Sequence, residues 1–107
     1  MTQLLFAEPA ARDLEAIIDY IAQDSPAAAE GVYRRIMQVV RMLPEFPLLG
    51  RPGRHPATRE LSISDLPYLI VYEADAGTVT VLAVFHTSRD LLRAWAERVD
   101  RGKGSGD

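Results

Sequence analysis

Tyr68-Leu69-Ile70-Val71-Tyr72-Glu73, then Asp75-Ala76-Gly77, then Thr78-Val79-Thr80-Val81-Leu82-Ala83-Val84-Phe85-His86 decide the fold. The two longer runs are rich in β-branched and aromatic residues, which suit a pleated, half-buried surface. Asp75-Ala76-Gly77 supplies turn chemistry between them, so the pair is expected to form a hairpin. The second run is almost wholly apolar after Thr80 and reads as a central strand covered on both faces. By the two-residue period of a strand, Tyr68, Ile70 and Tyr72 share one face. By the same period His86 shares a face with Val84 and Leu82.

Working outward, a further strand is expected at about 58–64. Alternation puts Arg59, Leu61 and Ile63 on one of its faces and Glu60, Ser62 and Ser64 on the other. Asp65-Leu66-Pro67 turns it into the hairpin, giving a three-stranded meander. The Pro- and Gly-rich stretch from Pro44 to Pro56 reads as a loop. Ahead of it lie two helices. The first covers roughly 9–23, with Pro9 in its first turn and Leu14, Ile17, Ile18 and Ile21 at helical spacing. Asp13, Glu15 and Asp19 fall largely off that stripe. Ser25 is the expected cap of the second, with Pro26 at its first position. Ala29, Val32, Ile36, Val39, Val40 and Leu43 carry its period until Pro44.

Residues 2–7 read as a short first strand. Downstream, Ser88 is the expected cap of a last helix with a stripe of Leu91, Leu92, Trp95 and Val99. Residues 1–100 are expected to form one domain, and 101–107, without core-forming residues, a disordered tail. The fold class is α+β: an N-terminal strand, then an antiparallel helix hairpin packed on an antiparallel β-sheet, in the order β-α-α-β-β-β-α.

The bulk numbers narrow the chemistry. The chain has 107 residues, no cysteine and a net charge of −3. Thiolate chemistry, disulfides and cysteine-ligated metal are excluded. No apolar run approaches the roughly 20 residues of a membrane span, and the N-terminus does not read as a signal peptide. His55 and His86 are the only histidines, without carboxylates at ligand spacing, so no metal or cofactor is expected. The stretch from Arg51 to Arg59 holds Arg51, Arg54, Arg59 and His55 with no acid. That is a compact cationic patch, far from the broad basic face of a dedicated nucleic-acid binder.

Taken in order, a set of residues resembles the RelE/ParE superfamily of type II toxin–antitoxin toxins, ParE-like members more than RelE-like ones. They are Ala10, Asp13-Leu14, Ile17, Tyr20-Ile21, Pro47, Gly50-Arg51, Arg59-Glu60-Leu61, Tyr68, Tyr72 and His86-Thr87-Ser88-Arg89-Asp90. The resemblance spans about residues 4–90. It implies a cytoplasmic bacterial toxin, held in a hetero-oligomeric complex by a ParD-like antitoxin encoded beside it. It also implies one of two activities. RelE-like members cut mRNA on the ribosome, and ParE-like members inhibit DNA gyrase.

RNA cleavage through the ribose 2′-OH needs a base, cations for the crowded phosphate and an acid for the leaving oxygen. Arg59 matches the family's strand arginine, and His86 sits at the late catalytic-type position. No lysine precedes Lys103, and Thr87 stands where a tyrosine is expected. The reading is therefore of a gyrase-binding toxin without catalytic residues, with an RelE-like endoribonuclease using Arg59 and His86 as the alternative. Candidate contacts for target or antitoxin are Arg51, Arg54, Arg59, Tyr68, Tyr72, His86, Arg89, Leu92 and Trp95. Several also have a structural reading. Arg59 can pair with a neighbouring carboxylate, His86 can be a core-edge histidine, and Tyr68, Tyr72 and Trp95 can be core.

Overall fold

The central β-hairpin organises everything else. A computed structural model describes residues 3–88, 90, 91 and 93–98. Arg89, Leu92, Val99 and the 101–107 tail lie outside the described residues. The elements are β1 (Gln3–Phe6), α1 (Glu8–Ala22), α2 (Pro26–Val40), β2 (Arg51–Pro52), β3 (Arg59–Ser62), β4 (Tyr68–Asp75) and β5 (Thr78–His86). Helical residues follow at 91 and 93–98. The sheet order is β1-β5-β4-β3-β2. As expected, β5 is central and apolar. β2 through β5 are antiparallel, and β1 joins β5 in parallel. The short β2 emerges from the stretch read as loop, because Arg51 and Pro52 pair with Glu60 and Arg59.

The sheet is covered on both faces. Helices α1 and α2 pack on the first face, against Ile63, Tyr68, Ile70, Tyr72, Val79, Val81 and Val84. The second face carries Leu69, Val71, Ala83 and Phe85, closed by Ala94 with Leu91 and Trp95. Strict alternation fails at one point. Val71 pairs with Ala83 but Tyr72 with Val81, so Leu82 is an extra residue in β5. This bulge moves Val79 and Val81 to the helix-covered face and turns Leu82 to the other, with Phe85 and Ala83. The expected shared face of Leu82, Val84 and His86 is thereby corrected.

Side chains complete the joints. Ser25 Oγ accepts from Ala28 N–H at 3.1 Å, the expected cap of α2. Asp90, not Ser88, caps the C-terminal helical residues, its Oδ1 accepting from Arg93 N–H at 3.2 Å. Beside the bulge, Asp13 of α1 accepts from Val84 N–H at 3.0 Å and holds Arg98 Nη2 at 2.8 and 2.9 Å. Arg98 Nη1 donates to the Leu82 carbonyl at 3.0 Å. One ion pair thus joins α1, the central strand and the C-terminal helical residues.

Candidate functional site

Strand register decides which candidate residues meet. Arg59 lies opposite Tyr72, and Tyr68 lies opposite His86. These four share the first face. Glu60, one residue along, lies on the second face opposite Val71 and Arg51. Alternation groups it with Ser62 and Ser64, and it is 3% exposed. Its carboxylate accepts from Arg54 N–H at 3.0 Å, and Arg51 and Arg54 bring cations to 3.7 Å. Trp95 packs on the same second face, with ring centroids 5.3 Å from His55 and 6.0 Å from Phe85. The described candidates therefore divide between two faces of the sheet.

On the first face Arg59 and His86 are kept apart. Tyr72 and Tyr68 are four residues apart on β4, about 13 Å at strand rise. Arg59 and His86 also sit on β3 and β5, two spacings of about 4.8 Å across the sheet. Arg59 is already committed, donating from Nη1 to the Gly50 carbonyl at 2.8 Å. Tyr72, fully buried, accepts from Gly50 N–H at 2.8 Å and donates to the Pro47 carbonyl at 2.7 Å. Gly50 is required there, since a Cβ would come within 2.8 Å of the Tyr72 ring. Tyr72 and Arg59 are thus the latch of the loop between α2 and β2. That latched loop presents Phe46, Leu48 and Leu49 to solvent, Leu48 at 71% exposure.

His86 is half-buried and makes a T-shaped contact with the Tyr68 ring, centroids 5.3 Å apart. Ser88 N–H donates to its Nδ1 at 3.1 Å, so in the neutral ring the proton sits on Nε2. Ser88 Oγ lies 2.6 Å from the same nitrogen. Burial pushes the Tyr68 hydroxyl above its ordinary value of about 10. Tyr68 is therefore a poor proton donor near neutrality. The unfolded chain loses this proton before the folded one. Tyr68's contribution to stability is thus intact below about pH 10 and lost as pH rises toward the folded pKa. Urea unfolding of Tyr68→Phe is expected to fall less steeply above pH 10 than that of the parent; equal slopes contradict this.

A different feature has the shape of a binding site. Leu14 and Ile18 of α1, Tyr33 and Met37 of α2 and Phe6 of β1 line a groove of about 380 Å³. Ala11, Glu15 and Asp19 form its lip. The sequence marked Glu15 and Asp19 only as residues off the apolar stripe. Their i, i+4 spacing beside Leu14 and Ile18 was the available signal. Among the described residues no group of three metal-ligating side chains converges, and no helix is long and apolar enough to cross a membrane.

Known proteins resemble this chain in sequence and fold. The profile of the ParE toxin of the type II toxin–antitoxin system parDE matches residues 4–91. The Sinorhizobium fredii protein Y4kP is 46% identical over 77 residues, covering 72% of this chain and 79% of that protein. Toxin RelE2 of Caulobacter vibrioides is 36% identical over 89 residues, covering 83% of this chain and 99% of that one. A solved structure of the chromosomal ParDE system from P. aeruginosa superposes with a TM-score of 0.72 at 26% identity. It covers 80% of this chain and 96% of that one. The helix hairpin on its sheet and these matches define the class, the RelE/ParE superfamily of toxins. Within that class the chain belongs to the ParE toxin family of type II toxin–antitoxin systems.

Proposed function

We propose that this toxin arrests bacterial growth by binding DNA gyrase, without cutting RNA, and that a ParD-like antitoxin neutralises it by filling the α1–α2 groove. The separation of Arg59 from His86 carries the first half. Cleavage through the 2′-OH needs acid, base and phosphate cation within hydrogen-bond reach of one phosphate. Here the arginine is bound to the Gly50 carbonyl, and the histidine lies two strands away on β5, opposite a residue four positions from the arginine's partner on β4. The tyrosine nearest His86 has its hydroxyl pushed above its ordinary value by burial. Binding needs no such convergence, and the latched loop with exposed Phe46, Leu48 and Leu49 beside Arg51 is a surface suited to it.

The antitoxin half follows from the groove. Two helices and a strand leave an apolar trough that an amphipathic helix can fill. Membership of the parDE family supports a ParD-like partner, and gyrase is the target the ParE resemblance implies. The experiment is a gyrase supercoiling reaction with added purified toxin. Supercoiling is expected to stop, with cleaved DNA trapped on the enzyme. Full supercoiling at a tenfold molar excess of folded toxin would sink the gyrase reading.

A further inference from the structure

We infer that the α1–α2 groove selects its antitoxin by charge: Glu15 and Asp19 call for a helix that brings two cations, Lys or Arg, one turn apart beside an apolar face. This rests on the reading of the groove as the antitoxin site. The groove floor is apolar, and Glu15 and Asp19 are its only charged lining residues. Among the described residues neither carboxylate has an ion-pair partner. The cations of the hairpin are engaged elsewhere, Arg12 with Glu8, Arg34 with Glu30 and Arg35 with Asp65.

Both acids are also placed against the interests of their own helix. Like charges at i, i+4 repel along a helix face. Asp19 lies in the last turn of α1, where the macrodipole favours cations, and no basic residue stands there. Two local rules are broken side by side on the lip of an apolar groove. Local conflicts of this kind are expected where a partner supplies the compensation.

Geometry gives the spacing. Four residues of α1 rise about 6 Å, so the two carboxylates lie one helical turn apart. A partner helix lying along the groove matches them with cations at i and i+4. An apolar stripe beside those cations, at its own three- and four-residue spacing, then reaches Leu14, Ile18, Tyr33 and Met37. Basic residues thus set the choice among amphipathic helices, and a helix with acids at those positions is rejected by repulsion.

Two labelled peptides test this. Both carry leucines at helical spacing, one with lysines flanking the stripe four residues apart, the other with glutamates there. In fluorescence anisotropy the lysine peptide is expected to bind the toxin about tenfold tighter at low salt. The gap should close as salt rises and fall below about twofold in Glu15→Gln/Asp19→Asn. Equal binding of the two peptides, binding of neither, or a gap that survives in the double variant overturns the proposal.

A second arm uses the antitoxin encoded beside the toxin. Glu15→Lys/Asp19→Lys is expected to keep its growth arrest and to lose rescue by that antitoxin. Full rescue of the reversed variant overturns the charge rule while the toxin reading stands. A parent chain that arrests no growth would instead defeat the toxin reading, and the peptide titration would still judge the charge rule.

Discussion

Replacing Tyr72 by alanine is expected to cost about 3–5 kcal/mol of stability, the range for truncating a buried aromatic. Tyr72 is completely buried between the helix layer and the sheet. Its ring fills core space, and its hydroxyl holds both Gly50 N–H and the Pro47 carbonyl. Tyr72→Phe separates the two roles. The ring stays, two backbone groups lose their partner, and the expected loss is about 1–3 kcal/mol. Each kcal/mol lowers Tm by about 4–8 °C in a domain near this size. Thermal unfolding followed by circular dichroism checks both values. A Tyr72→Ala loss below about 1 kcal/mol, at most one such 4–8 °C step in Tm, would mean that the site collapses readily and the latch is dispensable.

Removing the carboxylate of Asp13 is expected to cost about 2–4 kcal/mol. The pair is only partly exposed, 18% for Arg98 and 21% for Asp13. Asp13→Ala strands the Arg98 guanidinium over the Phe85 ring, 5.4 Å from its centroid, without a counter-charge. It also releases Val84 N–H beside the bulge. Asp13→Asn keeps an acceptor for Val84 N–H and is expected to lose about half as much. Arg98→Ala breaks the same contact from the other side. The double variant should therefore lose clearly less than the two single losses added together. Strict additivity in urea unfolding would show that the two residues act independently.

Much of the architecture is carried by local sequence patterns. Period-2 and period-3.6 spacings involve near neighbours only, so the β4–β5 hairpin, the two helices and the Ser25 cap read directly from the residues. Pairing across the sheet is not local. Nothing in Gln3–Phe6 states that β1 lies parallel to β5, and nothing in Arg51–Pro52 marks a strand. The bulge at Leu82 defeats strict alternation, because one extra residue reverses every side chain beyond it. Glu60 shares its period with the exposed Ser62 and Ser64, yet it is buried. Two arginines from the preceding loop and β2 make its burial tolerable.

The candidate site illustrates the same divide. Arg59 and His86 belong to one spaced pattern along the chain, and register sets one beside the middle of β4 and the other beside its start. Tyr72, a candidate contact in the sequence, is instead internal to the latch. The groove was hidden for the opposite reason. Leu14, Ile18, Tyr33 and Met37 come from two helices, and only their packing reveals the trough between them.

A toxin that works by binding cuts no RNA. Primer extension on cellular mRNA, after induction of the toxin and of His86→Gln in parallel, tests it most directly. No codon-positioned cuts are expected in either culture, with growth arrest equal in both. Cuts that appear with the parent and vanish with His86→Gln would contradict the account.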